Sequence, residues 1–361
     1  MGTLIPYVEI RDKYTRLPFA TCEPSECWFE LVYYGVGEFE VYTRATRSAL
    51  ASLKDGNYIT LPHKPFAWVI EKVEKTFEAG RGYTISARGR QAKAILGKRI
   101  INEQTQLAND LTTAVFGLIR KHAGTGATEA RKIDGLERLE SVVIQPITEA
   151  QVSYKNLLTY TDELLQAYEA GSELSIVDAG DFVYRLYNGV DRSDRIIFSQ
   201  TFDNLLSSSH ARNIEAWRTF ALIGGQGEGT ARILQECDAF PSLRGIDRAE
   251  MFIDAKDISS KYTDAAGVEK ELDLTKAADL ATYKGWLLAR GETTLAQNAI
   301  VETFEGEIDT NATRYKFGED FYLGDRVRVQ DDRMGVFITP RILKCTMRQD
   351  RTYTEIVEYG G

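Results

Sequence analysis

Polar and apolar positions alternate along the first hundred residues with the period of two that a strand imposes. In Glu38-Phe39-Glu40-Val41-Tyr42-Thr43-Arg44, Phe39, Val41 and Thr43 fall on one side. Glu38, Glu40 and Arg44 fall on the other, so this is a strand with one wet face. Trp28 to Tyr34 is aromatic or aliphatic on both sides except at Glu30, which predicts a more buried strand. Asp55-Gly56-Asn57 reads as a turn, and Trp68–Phe77 and Tyr83–Arg88 as further strands. Strands joined by tight turns, with no helical period, predict a barrel or sandwich over this segment.

The period changes over residues 101–122. Leu107, Leu111, Val115, Leu118 and Ile119 form one helical stripe, and His122 and Gly124 stand where a helix favours a cation and an ending glycine. Tyr154, Leu157, Leu158, Thr161, Leu164, Leu165 and Tyr168 predict a second helix over 152–169. Leu139–Ile147 between them reads as a strand, which makes a small α+β unit. Strands return at Phe182–Tyr187, Arg195–Ser199, Ala216–Ile223, Ala231–Gln235 and Arg248–Ile253. A third helix starts at a Thr275 cap, turns Ala277, Leu280, Tyr283 and Leu287 inward and closes at Gly291. Ile300–Ile308, Asp325–Gln330, Val336–Arg348 and Thr352–Tyr359 read as strands, so the chain is mainly β with α+β insertions.

A length of 361 residues is too great for one compact core and implies several domains. No short-period repeat or Pro-rich linker separates them. The 53 acidic and 44 basic side chains give a net charge of −9, which does not suit phosphate binding over the whole surface. Glu9, Arg11, Asp12 and Lys13 follow the N-terminus before any apolar stretch, unlike a secretory signal. No apolar run approaches the ~18 residues of a membrane-spanning helix, so no anchor is expected and folding is assigned to the cytosol.

Candidate chemistry is sparse. Gly224-Gly225-Gln226-Gly227-Glu228-Gly229-Thr230 lacks the Lys-Ser/Thr of a phosphate loop, carries a repelling Glu228, and is followed by Arg232-Ile233-Leu234, which reads as a returning strand. It is expected to be a hairpin turn. Arg81, Arg88, Arg90, Lys93, Lys98 and Arg99 form a basic run with only Tyr83 to stack a base, which favours a solvated strand face or protein contact. Asp309-Thr310-Asn311-Ala312-Thr313 is a weak calcium candidate, because Arg314 stands where an EF-hand loop needs Gly. Cys22, Cys27, Cys237 and Cys345 show no metal spacing and read as reduced, partly buried thiols. His63, His122 and His210 lie in no catalytic context. Ser207-Ser208-Ser209-His210 reads as a polar loop, and sequence alone does not set Asp178 and Asp181 across a glycosidic bond. No residue is therefore assigned as catalytic, cofactor-binding or metal-ligating, and no cofactor is expected.

Four segments in order resemble a siphophage tail-hub family that includes the N-terminal structural part of tail-associated lysins. They are Val36-Gly37-Glu38-Phe39-Glu40-Val41 with Leu53–Ile59, then Ile85-Ser86-Ala87-Arg88-Gly89-Arg90 with Leu96-Gly97-Lys98-Arg99. The Gly225–Gly229 stretch and Tyr315-Lys316-Phe317-Gly318-Glu319-Asp320-Phe321-Tyr322-Leu323-Gly324-Asp325-Arg326-Val327 follow.

The resemblance implies two tail-tube-like β-barrel domains plus smaller α+β domains. The first barrel is set at 1–100, the α+β domain at 101–173, the second barrel region at 174–255, and a helix plus C-terminal β domain at 256–361. It also implies a homotrimeric baseplate hub of the virion, assembled in the host cytoplasm and related to the hub of contractile-tailed phages. Its expected partners are the distal tail protein ring, the tape measure protein and tip or receptor-binding proteins, with DNA passing through without specific binding. The lysin members continue into a hydrolase, whereas this sequence stops at Gly361, so a non-enzymatic role is expected. A carbohydrate-binding tail protein and a small cell-wall hydrolase are the alternatives.

Overall fold

The computed structural model describes residues 5–360 apart from 63, 81, 149–150, 178, 203, 264–267, 309–314, 334 and 351. The first segment forms β1 (Val8–Arg11), β2 (Pro18–Cys22), β3 (Glu26–Val32), β4 (Glu38–Arg44), a short α1 (Arg47–Ser52), β5 (Tyr58–Thr60), β6 (Ala67–Glu78) and β7 (Gly82–Gln91). The next carries β8 (Thr105–Gln106), α2 (Leu111–His122), β9 (Arg138–Ser141), β10 (Gln151–Val152), α3 (Leu157–Ala167), β11 (Gly171–Ile176) and β12 (Phe182–Tyr187). Then come β13 (Ile197–Ser199), β14 (Leu205–Asn213), β15 (Phe220–Gly224), β16 (Leu234–Asp238), β17 (Glu250–Asp254), β18 (Lys261–Thr263), β19 (Glu269–Glu271) and α4 (Ala277–Gln297). The chain ends with β20 (Val301–Ile308), β21 (Arg328–Asp331), β22 (Val336–Ile338), β23 (Arg341–Gln349) and β24 (Tyr353–Gly360).

The protein is mainly β. Eleven strands form one sheet in the order β14-β20-β24-β23-β3-β4-β7-β6-β5-β1-β2, which does not close on itself among the described residues. The sheet is built from both chain ends: β23 pairs antiparallel with β3, setting Met347 opposite Phe29. One face buries Val8, Phe29, Val41, Ile85, Met347 and Val357 in the main core. β5 and the start of β6 are covered on both faces, because Tyr58, Ala67 and Val69 join a second core around α2, α3, β11 and β12. That is why Ala67-Trp68-Val69-Ile70 is an unbroken apolar run. A third core packs α4 against β15 and β17 through Tyr283, Leu287, Ile223 and Ile253.

Several local expectations change. The strand expected over Leu139–Ile147 covers only Arg138–Ser141, and Val336–Arg348 divides into β22 and β23. The second helix starts at Leu157, and Ala231 lies in the turn before β16. α2 starts at Leu111, where the Asp110 carboxylate accepts the Thr113 N–H at 2.9 Å; Leu107 precedes the helix. α4 runs through Gly291 to Gln297, and its N-cap is Lys276 rather than Thr275. Gly291 is a packing residue, since a Cβ there would stand 2.8 Å from Ile223 and 2.9 Å from Cys237. Ser207–His210 belongs to edge strand β14, paired antiparallel with β20, and is not a loop.

Candidate functional site

The Tyr315–Val327 segment folds into a clamp between the main sheet and the α+β unit. Gly318 donates to the Phe321 carbonyl at 2.9 Å, and Lys316 N–H to the Asp320 carboxylate at 2.8 Å. Tyr33, directly after β3, is buried, with its ring between Gly171 and Gly324; a Cβ on either glycine would stand 2.3 Å from the ring. The Tyr33 hydroxyl donates to the Glu169 carbonyl at 2.8 Å. Arg341 lies 5.4 Å over the same ring and donates to the Gly324 carbonyl at 2.7 Å and the Glu169 carboxylate at 2.8 Å. Asp325, only 2% exposed, accepts the Val190 N–H at 2.7 Å, the Tyr322 N–H at 3.0 Å and the Arg192 Nε at 2.6 Å. Charge-assisted bonds of this kind are the strong ones. Leu323-Gly324-Asp325 is thus a joint in which the glycine permits the approach and the aspartate fixes it.

A cleft of about 310 Å³ opens beside this joint, walled by Phe66, Tyr187, Val190, Phe317 and Leu323. Arg185 forms part of its wall and bridges Glu173 at 2.8 Å and Glu140 at 3.0 Å.

The two N-terminal motifs meet in the main sheet, where Phe39 pairs with Gly89. A Cβ on Gly37 would stand 2.6 Å from the Glu30 carbonyl oxygen. One on Gly89 would stand 1.9 Å from that of Val69, next to a register shift in the β6–β7 ladder. Gln91 closes the crossing through both its backbone and its side chain to Gly37, at 2.8 Å each.

The basic run is largely paired within the chain. Arg88 donates to Glu40, and Arg90 makes two 2.7 Å bonds to Glu71, holding that carboxyl below its ordinary range. Lys93 is buried, donates to the Ser172 carbonyl at 3.1 Å and faces Asp162 at 3.5 Å. Arg99 donates to the Arg131 carbonyl at 2.7 Å. These pairings favour an internal structural role over a docking face for Arg88 and Arg90.

The Gly-rich stretch joins β15 to β16, which pair antiparallel, as a hairpin requires. The Gln226 amide turns toward α4: its N–H donates to the Tyr283 hydroxyl at 2.9 Å, and that hydroxyl donates to the Ile258 carbonyl at 2.8 Å. All four cysteines are free and buried, and burial pushes the Cys27 thiol up to about 12. His122 is buried between Thr105 and Asn102, each 3.1 Å from a ring nitrogen. Burial first, then Lys121 and Arg131, bring its pKa down to about 4. His210 Nε2 lies 2.9 Å from Glu302. His63, Arg81, Asp178 and residues 309–314 lie outside the described residues. Among the described residues no three His, Cys, Asp or Glu side chains gather as a metal site, and no helix is long and apolar enough to cross a membrane.

A family model described as the siphovirus ReqiPepy6 Gp37-like protein matches residues 7–359. No curated protein matches the chain. The fold is that of a tail protein from Neisseria meningitidis MC58, with a TM-score of 0.59 at 10% identity, covering 98% of this chain and 96% of that one. It is equally similar to the 43 kDa tail protein of prophage MuSo2 from Shewanella oneidensis, with a TM-score of 0.58 at 11% identity and 98% of both chains covered. A prophage tail protein from Listeria monocytogenes EGD-e aligns with a TM-score of 0.52 at 10% identity over 98% of this chain and 94% of its own.

Proposed function

The chain belongs to the siphovirus ReqiPepy6 Gp37-like family, and from that premise we propose that it is a structural hub of a phage tail baseplate. The observation that carries this reading is end-to-end agreement: the family model covers residues 7–359, and tail proteins share the fold over nearly their whole lengths. The motifs that carried the resemblance act as joints in the fold. Gly37, Gly89, Gly324 and Asp325 set how strands cross and how the sheet meets the α+β unit. Such joints are what a scaffold needs, and they support a non-enzymatic role.

In this reading three chains form a closed ring at the distal end of the tail. Each supplies the eleven-stranded sheet as its tube-like part, while the strands within 174–255 divide among that sheet and three smaller ones. The ring joins the distal tail protein to the tape measure and the tip or receptor-binding proteins and controls DNA exit without binding it specifically. An acidic chain suits a lumen that must not hold phosphate. Labelling intact tails with antibody fragments against this chain tests the assignment. Label confined to the end distal to the capsid supports it; label along the tube or at the neck rejects it.

A further inference from the structure

The β6–β7 hairpin runs out past the core. β5 covers β6 only as far as Val69, and β7 is the sole sheet neighbour of β6 from Lys72 to Glu78. The side that buries Val41 and Ala87 inside the core continues outward through Val73 and Lys75 to the cross-strand pair Phe77 and Tyr83. These two rings are 61% and 69% exposed and touch as a tilted pair, with centroids 4.7 Å apart and 42° between their planes. The open edge of the arm carries Glu71, Lys72, Glu74, Lys75 and Glu78, and such charges discourage pairing of one edge with another. An exposed aromatic pair at the tip of an otherwise charged arm is the composition of an anchor that fills a pocket.

The same chain holds an apolar cleft of about 540 Å³ among α4, β16 and the segment after β14, walled by Trp217, Phe240, Leu295, Ala296 and Ile300. Its size lies within the ~300–1,000 Å³ of ordinary ligand clefts. Glu292 lies on its wall as an exposed carboxylate, and it makes no ion pair with any described residue. Lys75, two residues before Phe77 on the arm, is likewise exposed and makes none. The cleft adjoins the β14–β20 end of the large sheet, whereas the arm springs from the opposite half. Arm and cleft are different surfaces, so joining them between copies is a head-to-tail contact, the kind that closes rings.

We infer that the β6–β7 arm of one copy seats Phe77 and Tyr83 in the Trp217–Phe240 cleft of the next, with Lys75 against Glu292. This rests on the ring reading above and assigns one of its contacts. The full chain is followed by sedimentation velocity and mass photometry from nanomolar to millimolar concentration. Phe77→Ala with Tyr83→Ala is expected to weaken self-association at least about 30-fold while leaving the circular dichroism spectrum unchanged. Lys75→Glu and Glu292→Lys each weaken it, and the double charge exchange restores it. Zero-length carbodiimide coupling of mixed ¹⁵N and ¹⁴N protein joins the Lys75 amine to the Glu292 carboxyl with loss of water, giving mixed-isotope peptides.

A chain that trimerises indifferently to these substitutions overturns the inference and leaves the ring reading standing. A chain that stays monomeric at millimolar concentration overturns the inference, and if tails show no ring either, both fall. Glycan binding lost on Phe77→Ala with self-association unchanged makes the tip a carbohydrate platform and also overturns it.

Discussion

Gly324 lies flat against the Tyr33 ring at a φ of +85°, and a side-chain carbon there would stand 2.3 Å from the ring edge. Backbone conformation and packing thus both demand glycine at one point. Gly324→Ala is expected to cost roughly 2–4 kcal/mol, the sum of left-handed strain and overpacking. Urea unfolding measures it, and a loss under about 0.5 kcal/mol would show that the joint yields.

Asp325 answers three donors from two segments, Val190, Arg192 and Tyr322. Asp325→Asn keeps the shape but removes the charge opposite Arg192, so a loss of roughly 2–3 kcal/mol is expected. Arg192→Met should cost less, because its side chain is 30% exposed and solvent screens part of the pair. Equal losses for the two would show that the backbone donors contribute little.

Arg88 faces Glu40, which is only 7% exposed, so reversing Arg88 sets two carboxylates together over the sheet. Arg88→Glu is expected to lower stability by about 1–2 kcal/mol, and adding Glu40→Arg should recover most of it. If the single reversal leaves unfolding unchanged and blocks tail assembly, the run faces a neighbour after all.

The His122 pKa lies at about 4 in the fold, below its ordinary 6.5. Between these values the unfolded chain binds more protons, so stability rises with pH through that window. The contribution, about 1–3 kcal/mol, is complete above pH 6.5 and lost as pH falls toward 4. His122→Gln should flatten this part of the stability curve in urea titrations at pH 7, 5.5 and 4.5. An unchanged slope would exclude His122 as the source.

Local pattern carried most strands, because alternation in Glu38–Arg44 or Tyr353–Gly360 follows from burying one face. It could not show that β23 pairs with β3, since periodicity holds no information about a partner more than 300 residues away. The basic run was legible as charge, but its partners Glu40 and Glu71 lie on other strands and only the pairing of β4, β6 and β7 brings them opposite. Gly291 looks like a stop because glycine often ends helices; the contact with Ile223 and Cys237 that explains it is tertiary. Ser207–His210 is polar enough for a loop, and only pairing with β20 makes it a strand. The Tyr33 joint needed residues from three distant segments, with Leu-Gly-Asp as its single local sign.

Particle images bear most directly on the proposed hub role. Averaged electron micrographs of intact tails, with the chain identified by a bound antibody fragment, should show three fragments around a central hole at the distal tip. Single or paired copies at the tip, or a repeating sixfold array along the tube, would contradict the account.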